Sequence, residues 1–278
     1  ANERIPTLDV IRGVALLGIF IMNMPYFGTS FFAGADATHL FPAWWDRAAE
    51  TARDVLFSGK FNSMFSMLFA IGFTIQLERL EAREPGRARS IYLRRIAWLF
   101  AFGVAHATLL WTGDVLHIYA LLGLVLLPLR CAPTRLLWLL FAACLAYPAL
   151  MGAWRLATTT PEQVERYVAA MQQWEASNDL AYGSGSFLAA VREHARELVF
   201  GYTDPEMLRA SLGFWVQILS TMLLGLILGR ERFFQETGAH LPLVRRAQGW
   251  TLGIGLASGA VFGTYEALVT DPSTPTLF

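Results

Sequence analysis

Ala105–Gly123 reads AHATLLWTGDVLHIYALLG. The stretch is almost wholly apolar, yet it carries His106, Asp114 and His117 around a Thr112-Gly113-Asp114 break. Two short apolar runs separated by such a break predict a tight helical hairpin. Ionisable groups are costly in hydrocarbon, so their presence in a hairpin of this kind points to a protein interior rather than a lipid-facing surface.

The rest of the chain fits that setting. Of 278 residues 55% are hydrophobic and only 16% charged, against about 25% charged in an ordinary soluble domain; the mean hydropathy is +0.42. A spanning helix needs about 20 mostly apolar residues. Candidates fall at about 8–27, 55–77, 95–112, 114–130, 135–155, 208–229 and 248–270. The expected fold is therefore all-α, a polytopic transmembrane helix bundle with about seven spans. The expected division is a five-span bundle over 1–155, an amphipathic extracytoplasmic segment over 156–207, and further spans over 208–278. No cleavable signal peptide is evident, and the chain starts without Met and stops after DPSTPTLF, which reads as part of a longer protein.

Orientation follows from arginine. QLERLEAREPGRARSIYLRR carries six arginines, LRCAPTR two and GRERFFQETGAHLPLVRR four, and these stretches alternate with arginine-poor ones. The positive-inside rule places the N-terminus in the cytoplasm and the segment 156–207 outside. Within that segment Thr160-Pro161-Glu162 reads as a helix cap followed by proline in the first turn. GSFLAAVREHARELVFGY has helical spacing. Two amphipathic helices are expected there, along the outer membrane face or over a cavity mouth. The pairs Gly225/Gly229, Gly249/Gly253 and Gly259/Gly263 are spaced for close helix packing.

A net charge of zero gives no reason to expect a nucleic-acid partner. No phosphate-binding loop, nucleophile elbow, dinucleotide fingerprint or metal-ligand spacing is present. Cys131 and Cys144 read as small buried hydrophobes.

Four places carry polar groups in apolar surroundings. Asp9 and Arg12 are three apart, share a helix face and pair, either as an anchor or as a site for an anionic ligand; Asn23 lies about three turns further on. Lys60 is the only lysine in the chain, and snorkels to the interface or holds a negative ligand. His106 lies in the third span, and Asp114, at the turn, orients it as a base or caps the fourth helix. On one straight helix these two would be about 12 Å apart, beyond a direct bond. His117 and Tyr119 follow in the first turns of the fourth span.

LDVIRGVALLGIFIMN, FSGKFNSMFSMLFAIGF and RRIAWLFAFGVAHATLLWTGDVLHIYALLG resemble, in order and spacing, the bacterial YeiB-like membrane proteins, a domain family of unknown function. The resemblance covers residues 8 to about 123; beyond 135 it rests on hydropathy, and the family's C-terminal portion is expected to be missing. That family looks like a branch of the transmembrane acyltransferase superfamily, which includes heparan-alpha-glucosaminide N-acetyltransferase and the O-acetylases of bacterial surface sugars. The resemblance implies an acyl group moved from cytoplasmic acyl-CoA (acetyl-CoA) to an acceptor such as a sugar at or across the bacterial inner membrane, with no metal. It implies that Arg12 faces the donor, and that Lys60, His106 and Asp114 belong to a shared polar interior. The sugar O-acetylases carry a histidine about three turns after the first-helix arginine, where this sequence has Met22 and Asn23. The base then falls to His106, with His39 a weaker candidate by analogy with the heparan enzyme and His117 ranked last. Two alternatives stay open from the residues, a transporter of a small anionic solute and a non-catalytic accessory protein.

Overall fold

The computed structural model describes residues 5–27, 43–235 and 237–269. Ten α-helices occur among them and no strand: α1 Pro6–Asn23, α2 Trp44–Phe57, α3 Lys60–Arg83, α4 Ala88–Leu109, α5 Leu116–Leu129, α6 Thr134–Thr158, α7 Pro161–Gly183, α8 Phe187–Thr203, α9 Pro205–Arg230 and α10 Thr237–Val269. The all-helical class is as the periodicity requires.

Helix boundaries follow local chemistry. Thr160 and Gln163 form a reciprocal capping box at the start of α7: Gln163 N–H donates to Thr160 Oγ1, and Thr160 N–H donates to Gln163 Oε1. Asp204 accepts from the amides of Glu206 and Met207, with Pro205 in the first helical position of α9. The arginine-rich stretch 76–95 is not a loop. α3 runs on to Arg83 and α4 begins at Ala88, because glutamate, arginine, leucine and alanine are good helix formers whether or not lipid surrounds them. The apolar run expected as one span at 55–77 is broken at Ser58-Gly59, where Gly59 adopts φ +68°, a left-handed conformation that costs glycine little.

Four helical segments among the described residues are long and apolar enough to cross a membrane: Pro6–Phe27, Trp44–Arg83, Thr134–Thr158 and Pro205–Arg230. Only 11% of the apolar window of the first and 6% of the third are buried. Val10, Val14, Leu17, Leu139, Leu145 and Leu150 point outward, an apolar exposure that an aqueous surface does not sustain and a bilayer does. The chain is a membrane protein. α5 is apolar but only 14 residues long. α4 carries Arg89, Arg94 and Arg95 in its first half, which lowers its mean hydropathy.

The chain divides into two compact units, one of residues 1–61, 159–177 and 234–278, the other of 62–158 and 178–233. In the first, α2 packs against α1 and α10. In the second, α5 lies innermost with half its residues buried. Ile118, Tyr119, Leu122 and Leu126 of α5 meet Phe73 of α3, Tyr92 and Ile96 of α4, and Met222 and Leu226 of α9. Gly225 and Gly229 serve close packing as expected: a Cβ on Gly225 would lie 2.2 Å from Met67 O, and one on Gly229 2.8 Å from Thr74 Oγ1. Gly249 and Gly253 have nothing within 4 Å. Cys131 is exposed and Cys144 only half-buried, so the expectation that both are interior residues does not hold; Cys131 follows the end of α5 on a surface turn.

α8 packs against α4 and α9 with its polar face inward. Glu193, His194 and Glu197 are buried while Phe187, Leu188 and Val199 are exposed. Its amphipathic pattern is legible in the sequence, but the face that meets the bundle is the charged one.

Candidate functional site

The α4–α5 turn makes the site. After His106 the helix ends, with the amides of Leu110 and Trp111 both donating to His106 O, and the chain reverses over residues 110–115. Reversal brings His106 Nδ1 to 3.1 Å from Asp114 Oδ1, where the straight-helix estimate had kept them apart. The contact has ion-pair distance without the alignment of a hydrogen bond. The His106 side chain is 40% exposed; that of Asp114 is 3% exposed.

Asp114 forms the cap, one of the two roles that the residues left open for it. Its Oδ2 accepts the amides of Leu116 (2.9 Å) and His117 (3.3 Å), capping α5 where the helix dipole favours an anion. The same oxygen lies 3.1 Å from His117 Nδ1. His117 is buried, and its Nε2 lies 2.5 Å from Tyr202 Oη on α8. Asp114 sits between two histidines, and His117, ranked last as a base, is the one more fully enclosed. Close approach of the two helices requires glycine at position 103, where a Cβ would lie 2.3 Å from His117 N. Burial first, and then the Asp114 charge, push the Tyr202 phenol up to about 12.

A second network adjoins on the same turn. Glu197 of α8 accepts hydrogen bonds from Thr112 Oγ1, from Asn178 Nδ2 at 2.6 Å and from Tyr182 Oη at 3.1 Å. His194 Nδ1 lies 3.3 Å from Thr108 O. Burial raises the Glu197 carboxyl above its ordinary value of 4.5, against its hydrogen bonds, which lower it. Burial and the Glu197 charge raise Tyr182. A carboxyl with a raised folded-state value binds its proton more tightly folded than unfolded. Stability therefore falls as pH rises from about 4.5 through the raised value. Glu197→Gln, a mimic of the protonated acid, is expected to flatten that fall; melting temperatures of both proteins in detergent between pH 4.5 and 8 test this. Parallel curves for the two would remove Glu197 as the cause.

The other expected residues lie elsewhere. Asp9 and Arg12 pair at 3.2 Å, each side chain half-exposed, and Asn23 ends α1. The Lys60 ammonium donates to Val55 O (2.7 Å) and lies 3.5 Å from Ser58 O, closing the end of α2. All four belong to the first unit, whereas His106, Asp114, His117 and Tyr119 belong to the second. Tyr119 is fully buried, its hydroxyl 2.6 Å from Ser66 Oγ and donating to Asn62 Oδ1; it is a satisfied core tyrosine below the turn. His39 lies outside the described residues. Among the described residues no cluster of three or more His, Cys, Asp or Glu side chains is arranged to hold a metal.

Sequence reasoning missed Tyr202, Glu197, Asn178, Tyr182 and Thr112. The available signal was the run Glu193-His194-x-x-Glu197 on an amphipathic helix; it shows which residues share a face, but nothing in it says that this face turns inward.

The sequence is 32% identical over 269 residues to the uncharacterized protein YxaH of Bacillus subtilis (strain 168), covering 93% of the chain and 65% of YxaH. It is 36% identical over 131 residues to the uncharacterized protein YeiB of Escherichia coli (strain K12), covering 44% of the chain and 30% of YeiB. The chain is similar to the YeiB-like proteins over these spans. An uncharacterized 39.9 kDa protein of Bacillus acidopullulyticus is 37% identical over 127 residues, or 34% of its length. This YeiB-like chain thus spans at most about two thirds of the relatives it matches. No family model and no solved structure matches it.

Proposed function

We propose that this YeiB-like protein is a membrane-embedded acyltransferase, a branch of the transmembrane acyltransferase superfamily, that moves an acetyl group from acetyl-CoA to a hydroxyl or amine acceptor such as a sugar. The observation that carries the reading is the His106–Asp114 pair: a buried carboxylate beside Nδ1 of a half-exposed imidazole. In this arrangement Nε2 of His106 removes the acceptor proton as its oxygen or nitrogen attacks the thioester carbonyl. Asp114 steadies the imidazolium, the tetrahedral intermediate collapses with loss of the CoA thiolate, and the proton passes to that sulfur. The motif resemblance assigns the donor to Arg12. Arg94 and Arg95 offer further phosphate partners, about 18 Å along α4 from His106 by helical rise.

The proposed topology is seven spans in a bacterial inner membrane, with the N-terminus cytoplasmic and residues 156–207 outside. Two contacts support it. α8 meets the α4–α5 turn, and both are outer elements in this topology. Arg130 after α5 pairs with Glu81 near the end of α3, both on the arginine-rich side. The outward apolar face of α8 suits a helix lying at the outer interface.

Acetyl-CoA is expected to raise the melting temperature of the full-length protein in detergent, and Arg12→Ala to abolish that rise. His106→Ala is expected to lower acetyl transfer to a hydroxyl or amine acceptor about 10²–10⁴-fold while leaving the acetyl-CoA stabilisation intact. Absence of any acyl-CoA response, together with anion uptake by proteoliposomes, would replace this reading with transport.

A further inference from the structure

We infer that Tyr202 is a positioning residue that fixes the order of protons across His117, Asp114 and His106, so that His106 presents an unprotonated Nε2. The inference rests on the reading of His106 as the base of the proposed transfer.

The order follows from what each atom can donate. Asp114 as a carboxylate only accepts, and its Oδ2 already receives the amides of Leu116 and His117. His117 Nδ1, 3.1 Å from the same oxygen, must therefore carry a hydrogen and donate it. A neutral imidazole with hydrogen on Nδ1 has only a lone pair on Nε2. That nitrogen faces Tyr202 Oη, so the phenol donates and the imidazole accepts. Oδ1 of Asp114 then faces His106 Nδ1 at 3.1 Å, a contact short of hydrogen-bond alignment, and an acceptor so placed favours a hydrogen on Nδ1. That tautomer leaves Nε2 of His106 as a base, on a side chain open to an incoming acceptor.

Without the phenol the order is no longer unique. His117 Nε2 would be a buried acceptor with no donor from α8. Protonation there gives an imidazolium whose charge neutralises Asp114 and weakens its hold on His106. Tyr202 thus acts through His117 and Asp114 on a residue that it does not touch.

The test is ¹⁵N spectroscopy of the histidine rings in the full-length protein in detergent at neutral pH, with His106 and His117 assigned from His106→Gln and His117→Gln spectra. In the unmodified protein both rings are expected as neutral Nδ1–H tautomers, the less common form in water. In Tyr202→Phe, which keeps the ring but removes the donor, His117 is expected to gain a hydrogen on Nε2. Acetyl transfer is expected to fall about tenfold, with stabilisation by acetyl-CoA unchanged. An Nε2–H tautomer for His117 or His106 in the unmodified protein would overturn the inference without any variant. So would a Tyr202→Phe spectrum identical to the parent's. If the tautomers are as expected but no acyl group is transferred, the proton order stands and the acyltransferase reading fails.

Discussion

Asp114→Asn is expected to lower acetyl transfer by about 10²–10⁴-fold, the range that positioned acid–base groups supply, with little change in folding. An asparagine oxygen in place of Oδ2 still accepts the α5 amides and the His117 Nδ1 hydrogen. The amide nitrogen then takes the position of Oδ1 and turns its hydrogens toward His106 Nδ1. Two donors face each other, so His106 has to flip or adopt the other tautomer. Asp114→Ala separates this from the structural role. It removes the cap, worth about 1 kcal/mol, and leaves the buried His117 donor unsatisfied, costing about 1–3 kcal/mol. The expected sum of about 2–4 kcal/mol is measurable as a lowered melting temperature that Asp114→Asn does not show. Equal transfer by the asparagine variant and the parent would mean that the carboxylate charge does no chemistry and that Asp114 is a cap alone.

The second large effect is steric. Gly103→Ala is expected to destabilise the protein by about 1–3 kcal/mol or more. Its Cβ would meet His117 N at 2.3 Å, with His117 Cα and Leu116 C both at 2.9 Å. These are backbone atoms of a capped helix start and cannot swing aside as a side-chain tip can. Relief requires α5 to move away from α4, which also pulls His117 from Tyr202, so activity and the ring spectra are expected to change together. Gly249→Ala is the matched control. Nothing lies within 4 Å of that position, so alanine adds helix propensity worth up to about 1 kcal/mol and no clash. Comparable melting temperatures for the two variants would mean that α4 and α5 are not held at the spacing described.

Much of the architecture was readable before folding was considered. Runs of about 20 apolar residues have few options other than spanning helices, since backbone polar groups in hydrocarbon must be satisfied within the segment. Thr160-Pro161 marks a helix start through the chemistry of one turn, and that start stands. The hairpin around Gly113-Asp114, and Asp114 at its turn, followed from the break in hydropathy. His106 and Asp114 were legible as candidates because each is ionisable in apolar surroundings.

What the sequence could not supply was which atoms meet. The straight-helix rise between His106 and Asp114 overstated their separation because a chain reversal lies between them. Lys60 could be read from the sequence as an interface anchor or as a ligand-binding cation, and only the structure shows its ammonium taken up by carbonyl oxygens of the turn before it. His117 and Tyr202 are 85 residues apart, and no periodicity links them. Nor does hydropathy reveal that α8 turns Glu193, His194 and Glu197 inward. Sequence by itself determined the all-helical class and the presence of ionisable groups among apolar segments, because those depend on neighbours within a few turns. Tertiary structure alone decided that one carboxylate is shared by two imidazoles and braced from a distant helix. Hydrogen-bond partners are chosen by position in space, and that is set by how the whole unit packs.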